Sequence, residues 1–526
     1  MIHSMQKLRI AAIAGIAAIV LPGCALQVKV REDWQGPNHS IPLDSTVNTW
    51  QEIRSGRLPA TERLHDYNHA VRNAVVQIAQ NWETEKQALS VINTTEGKLN
   101  LRVDPINVRA IGLVDEVVPA DFVRVKKGLE TETEVEGVGA SLLVRQQWTE
   151  QDPMIPKTGL WYPVTAVLNL DQPRSPILEL YDPTKIANLS SMDGPVPLAV
   201  DYTAPFARDF QDRQFQFLKV PAFLKYEKFA DRMGIHRVSA FDPEKTACIL
   251  VHGIYSSPVT WKEALNGMYE NQSIRERYEF WSFGYPTGAP IPYLAAEFRK
   301  AVEDLIAFRR SRGAKDLDLV IIGHSMGGLL AKAATQHSGD EDWNKFFTVP
   351  IEQLEVKEKD REVLRNLVYY EPIPEIEKVI FCAVPHRGSK VPEKAPLKLV
   401  GDLVQLPNQL AQLSKDIVKQ SRNALTPLGM EVAKAKPSSL DQLRESSFAA
   451  VGYLDKPLNP NVQYFSIIGC KEKDCPPLDQ VSDGVVPYSS AHIEGVVSEK
   501  IVTGSPHGVH RQKEGIQEIV RILNLP

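Results

Sequence analysis

The chain has 526 residues, of which 43% are hydrophobic and 24% charged, the composition of an ordinary folded protein with length for two or three domains. Its 60 basic and 65 acidic residues leave a formal charge of -5. That excludes the basic footprint of a nucleic-acid binder, so small or neutral substrates are expected.

At the N-terminus, Lys7 and Arg9 precede an uncharged run from Ile10 to Val20. This is the pattern of a secretory signal peptide over residues 1–23, and the run is too short to span a bilayer permanently. It ends in Leu21-Pro22-Gly23-Cys24, which resembles the bacterial lipobox, although Pro22 departs from the small or β-branched residue usual there. The resemblance implies lipidation of Cys24, with simple cleavage or an uncleaved anchor as the alternatives. Attachment through more than one acyl chain would be stable. Ala25 is not the aspartate of an inner-membrane retention signal. The expected location is therefore the bacterial cell envelope, lipid-anchored, at the outer membrane facing the periplasm or the cell surface.

A polar linker is expected from Gln27 to Leu43, then a charged helical region over about 46–88 in which Val71, Ala74, Val75 and Ile78 share one helical face. From about Leu99 to Tyr202 short β runs such as Ser141–Val144, Val164–Leu168 and Ile177–Leu180 alternate with Pro, Gly and Asp turn signals. Residues 24–233 thus read as an accessory region, helical and then β-rich. No motif in it carries chemistry.

A different regime begins near Gly234. Strand-like runs at Cys248–Val251, Tyr278–Phe283, Leu319–Ile322, Lys378–Val384, Val462–Ile468 and Val496–Val502 alternate with helical stretches at Tyr293–Arg310, Leu329–His337 and Lys513–Leu523. This predicts an α/β unit over 234–526, a mostly parallel sheet with helices on both faces, binding ligands at the carboxyl ends of its strands. An insertion at about 390–450 carries Leu397, Leu399, Val400, Leu403, Val404, Leu406, Leu410 and Leu413 at helical spacing. It is either a packed surface helix pair or a lid.

Gly323-His324-Ser325-Met326-Gly327 sits between one of those strands and the following helix. A serine hydroxyl is a poor nucleophile until a strained strand-to-helix turn lifts it towards a base, and the glycines Gly323 and Gly327 permit the turn. An oxyanion hole is expected from the N–H groups of Ile254, in His252-Gly253-Ile254, and Met326. In the order Ser, acid, His, the acid is expected at Asp483 in Ser482-Asp483-Gly484, ahead of Asp474, Asp479 and Glu494. The base is expected at His507 in Ser505-Pro506-His507-Gly508, ahead of His510, with His252 as a lesser alternative and His386 structural. Cys470 and Cys475 flank a short polar segment and are expected to form a disulfide. Cys248 and Cys382 read as buried thiols, and no metal site is expected.

Together His252-Gly253, Gly323 to Gly328, Pro385-His386-Arg387-Gly388-Ser389, Asp483 to Pro487 and His507 resemble the lipase and esterase branch of the α/β-hydrolase superfamily, over roughly the C-terminal half. The resemblance implies a covalent acyl-enzyme and no organic cofactor; together with the lipobox-like segment and the apolar insertion it leads to the expectation of a membrane-tethered serine ester hydrolase acting on lipid or other acyl esters. An acyltransferase or amidase with the same triad, and a non-catalytic envelope lipoprotein on a hydrolase scaffold, are the alternatives.

Overall fold

The computed structural model describes residues 27–31, 40–79, 89–106, 108, 114–213, 219–389, 404–435, 437–445, 447 and 456–526. The expected signal peptide and Cys24 lie outside these residues.

The first strand, β1 (Gln27–Val30), falls where a linker is expected, and pairs antiparallel with β5 (Val123–Lys127). The correction has a physical basis in the segment itself. Gln-Val-Lys-Val alternates with period two, so Val28 and Val30 point together at the cluster of Val118, Phe122 and Trp161. Two helices follow, α1 (Leu43–Arg54) and α2 (Thr61–Ala79), in the stretch where a helical region is expected. Gly56, at φ +87°, and Pro59 break the run between them.

These helices cover a six-stranded sheet formed by β2 (Leu89–Thr94), β3 (Gly97–Pro105), β4 (Val114–Pro119), β7 (Ala140–Gln146), β8 (Leu160–Asn169) and β9 (Ile177–Tyr181). Its order is β2-β3-β9-β8-β7-β4, antiparallel except for the β3–β9 pair. Tyr67, Ala70, Val71, Ala74 and Val75 of α2 are buried with Leu142, Val144, Val164 and Ala166 of the sheet. Two small ribbons complete this half: β6 (Glu134–Val135) with β12 (Val200–Asp201), and β10 (Asn188–Leu189) with β11 (Val196–Pro197). Helix α3 (Thr203–Arg213) leads onward.

The second sheet has seven strands: β13 (Gly234–Arg237), β14 (Thr246–Val251), β15 (Tyr278–Gly284), β16 (Leu319–His324), β17 (Ile376–Cys382), β18 (Gln463–Gly469) and β19 (Ser498–Val502). The order is β13-β15-β14-β16-β17-β18-β19, parallel throughout except for β13, an antiparallel edge strand not foreseen in the sequence. Cys248 to Val251 and Leu319 to Ile322 are at most 2% exposed, as strands covered on both faces must be. Across the sheet Val251 and Phe381 both pair with Gly323, so the carboxyl ends of the three central strands are level.

Covering helices include α4 (Ile291–Ser311), α5 (Met326–Ala333), α6 (Asp340–Phe346) and α7 (Glu358–Val368). Helix α5 stops before His337, because the chain turns out to pair Ser338 with Tyr370. The expected insertion contributes α8 (Asn408–Gln420), α9 (Pro427–Ala435) and the single turn α10 (Ser439–Gln442). Leu413 and Ile417 of α8 pack with Trp343, Phe347, Ile351, Leu354 and Leu364. Leu397, Leu399, Val400 and Leu403 lie outside the described residues. The last helix, α11 (Lys513–Leu523), buries Ile519, Ile522 and Leu523. No helix among the described residues is long and apolar enough to cross a membrane.

Candidate active site

Ser325 occupies the single position between β16 and α5, with φ 53° and ψ -127°. Only three non-glycine residues described have positive φ: Tyr255, Ser325 and Ala383. They follow β14, β16 and β17, so the costly backbone conformations gather at one end of one sheet. The tight turn depends on bare backbone. A β-carbon on Gly323 would lie 2.5 Å from Gly328 Cα, and one on Gly327 would run into the carbonyls of Val251 and His252.

Two distant loops reach this turn. Asp483 comes from the segment after β18 and His507 from the loop between β19 and α11. His507 Nε2 is 2.9 Å from Ser325 Oγ, and His507 Nδ1 is 2.8 Å from Asp483 Oδ2. Asp483 Oδ1 accepts hydrogen bonds from the N–H groups of Val485 and Val486 at 2.8 and 2.7 Å. A carboxylate only accepts, so the hydrogen of His507 belongs on Nδ1, which leaves Nε2 free to take the proton of the serine hydroxyl. Asp483 and Ser325 are 3% and 4% exposed, and His507 is partly exposed.

Gly253 lies directly against Ser325, which brings the start of the Ile254 segment to the nucleophile. Met326 opens α5, where backbone N–H groups gather positive potential. Neither amide is among the hydrogen-bond donors of the described residues. Tyr285 supports this loop from beneath: its hydroxyl donates to the His252 carbonyl at 2.5 Å, and its ring stacks on the His252 ring at 4.3 Å.

The other sequence candidates are placed elsewhere. His252 lies fully buried on Tyr285, with its Nδ1 3.0 Å from the Gly253 carbonyl, and burial pushes its pKa down to about 4. His510 meets Thr260 Oγ1 through Nε2 at 3.0 Å and packs on Trp261. His386 is buried edge-on to Phe381, neither ring nitrogen has a hydrogen-bond partner, and burial holds its pKa well below the usual histidine range. Asp474, Asp479 and Glu494 are exposed, and the carboxylate bonded to His507 is that of Asp483.

Two supports escape a reading of motifs. His324, the residue beside the nucleophile, approaches the His507 carbonyl with Nε2 at 2.8 Å. Cys470, joined to Cys475 in a disulfide, donates its N–H to the Val502 carbonyl, while its own carbonyl accepts the Ser505 N–H at 2.7 Å. Next to it the Lys471 N–H bonds the Ser482 carbonyl at 2.9 Å. The disulfide segment therefore holds the acid loop and the base loop together. A carbonyl carries no signature in sequence, whereas His324 was visible as the variable position of the serine motif. Among the described residues no group of three or more His, Cys, Asp or Glu could hold a metal ion.

No family model matches the chain, and no curated protein matches it either. Solved structures similar to it include Bacillus licheniformis lipase BlEst2 in mature form, at 13% identity over 54% of this chain and 94% of that one, with a TM-score of 0.31. The propeptide form of the same lipase is 14% identical, TM-score 0.32, and this chain covers 52% of its length. Lipase 1 from Pelosinus fermentans is 12% identical over 54% of this chain and all of that one, with a TM-score of 0.32. Likeness at this level covers about half of the chain and assigns no activity, so function rests on the geometry of Ser325, His507 and Asp483.

Proposed function

We propose that the protein is a serine ester hydrolase of α/β-hydrolase type, with residues 234–526 as its catalytic unit and 24–233 as an accessory region. The observation that carries this reading is the unbroken hydrogen-bond chain from Ser325 Oγ through His507 to Asp483.

In this mechanism Ser325 Oγ attacks the ester carbonyl carbon while its proton passes to His507 Nε2. The carbonyl oxygen becomes an oxyanion, stabilised by the N–H groups of Ile254 and Met326. Collapse breaks the bond to the alcohol, which leaves with the proton from His507, and the acyl group remains on Ser325. Water then gives a proton to His507 and attacks the acyl carbon. Release of the acid returns the proton to Ser325. Asp483 keeps the imidazole in the tautomer that can accept, and its charge favours the imidazolium formed in both halves.

We infer lipid or other acyl esters as the substrates, a reading supported by an apolar cavity in the same unit that Ser325, His507 and Asp483 do not themselves line. A cavity of about 210 Å³ lies between α6, α7, α8 and α9, lined chiefly by Phe346, Leu364, Leu410, Leu413, Leu428 and Val432. Its wall includes Gln442, which accepts a hydrogen bond from the Ile291 N–H. In the same short helix Ser439 donates to the Thr287 carbonyl, and the Thr287 hydroxyl accepts the N–H of Tyr255, next to Ile254. Attachment to the envelope through a lipid on Cys24 belongs to the same proposal, and rests on the sequence alone.

The test is covalent labelling with a fluorophosphonate. The native chain should be labelled and Ser325→Ala should not; equal labelling of the two would remove Ser325 from the role. Esters of graded acyl length then read the substrate class, and hydrolysis confined to acetyl esters would reject longer acyl chains as substrates.

A further inference from the structure

The mechanism above leaves one buried imidazole at its centre without a task. His324 ends β16, immediately before the nucleophile, and is 7% exposed. Its Nε2 is 2.8 Å from the carbonyl oxygen of His507. A carbonyl only accepts, so Nε2 carries the hydrogen and Nδ1 the lone pair. That Nδ1 has no hydrogen-bond partner and faces Gly253, where a β-carbon would sit 3.2 Å from it. The ring also packs on His507 at 4.9 Å and on His510 at 4.0 Å between centroids. His510 in turn is tied to Thr260.

One side chain thus touches the base loop and the oxyanion loop from the position adjoining the nucleophile. The two neighbours act on different parts of the same residue: Ser325 bonds the side chain of His507 and His324 bonds its main chain. The Ser505 N–H on the Cys470 carbonyl holds the base loop two residues before His507, whereas His324 holds the main chain of His507 itself, and displacement of that residue by about 1 Å can cost about 100-fold in rate.

We propose that His324 is a positioning residue, whose Nε2–H on the His507 carbonyl holds the base loop at reacting distance from Ser325. The role rests on the triad reading given above. The bland alternative is that His324 merely fills space between loops. The two differ in what can replace it. A space filler is replaced by any side chain of similar shape, a donor only by another donor.

The experiment compares His324→Gln, which keeps an N–H near the same place, with His324→Met, of similar shape and without one, using p-nitrophenyl butyrate and the full chain. The glutamine variant should keep kcat within about five-fold of the parent, and the methionine variant should lose about 100-fold in kcat with KM within about two-fold. Equal kcat for the two variants, whether high or low, would overturn the role. Should the methionine variant not fold, nitrogen-15 spectra of the parent decide. One histidine, absent from the His324→Gln spectrum, should stay an Nε2–H tautomer between about pH 8 and 5, and rapid exchange of its tautomers would overturn the bond. A parent chain that neither hydrolyses esters nor takes the fluorophosphonate would remove the triad reading and this role together. A parent that is labelled, alongside a methionine variant labelled equally fast, would remove only this role.

Discussion

Gly253 and Ser325 meet so closely that a β-carbon on the glycine would lie 2.8 Å from the β-carbon of the serine. Neither partner can give way cheaply, since Ser325 is held at φ 53° between strand and helix and its Cβ is not the end of a flexible side chain. Gly253→Ala should therefore displace the loop that carries the Ile254 N–H. The expected loss is about 100-fold in kcat for ester hydrolysis, at a stability cost of about 1–3 kcal/mol by thermal unfolding. Full activity in this variant would show that the loop is not part of the reacting geometry.

Asp483 tests the tautomer argument. In Asp483→Asn the Oδ1 position can still accept from Val485 and Val486, so the loop should keep its shape. The amide NH₂ would then face His507 Nδ1, which must become the acceptor. The hydrogen moves to Nε2, and the base can no longer take the serine proton. A fall of about 10⁴-fold in kcat is expected with an unchanged unfolding midpoint. A loss below ten-fold would reject Asp483 as the orienting acid.

Acid should expose the cost of the buried imidazoles. For His386, whose folded pKa is depressed by burial, protons bind the unfolded chain more readily once pH drops below the ordinary value of about 6.5. Stability is then lost as pH falls and is fully present above that value. The raised carboxyls of Glu279, Asp201 and Asp209, each at about 7 through burial, act in the opposite sense, losing stability as pH rises towards 7. Single-site differences separate the two. His386→Leu, compared with the parent by urea unfolding, should gain about 1.4 kcal/mol per pH unit on going below about pH 6.5. A pH-independent difference would mean that His386 titrates alike in both states.

Removal of the disulfide should weaken the frame behind the acid and base loops. Cys475→Ser opens a loop of sequence separation 5, worth about 2 kcal/mol by chain entropy. Because the Cys470 backbone bonds Ser505 while Lys471 bonds Ser482, kcat should drop further than KM changes. An unaltered unfolding midpoint after full reduction of the parent would contradict this assignment.

Much of residues 234–526 was legible because the local rules there are strict. A parallel strand buried on both faces must be apolar, which marked β14 and β16, and α11 begins and ends at the two residues its periodicity predicts. Ser325, Asp483 and His507 stand out because a sharp turn needs glycine neighbours and because their order along the chain is restricted. Less could be read where context decides. Strand β13 is only Gly-Ile-His-Arg, and exists because β15 has a free edge. Strand β1 looks polar until β5 pairs with it. His324 shows its partner only after a strand end and a loop 183 residues apart in sequence have folded together.

Strand β1 has a bearing on how a tethered form would behave. Ala25 and Leu26 alone separate Cys24 from Gln27, which is already paired to Lys127. Three residue steps reach about 11 Å at full stretch, little more than one headgroup layer. With a lipid on Cys24, as proposed, there is no leash: the folded body would rest on the bilayer that holds it.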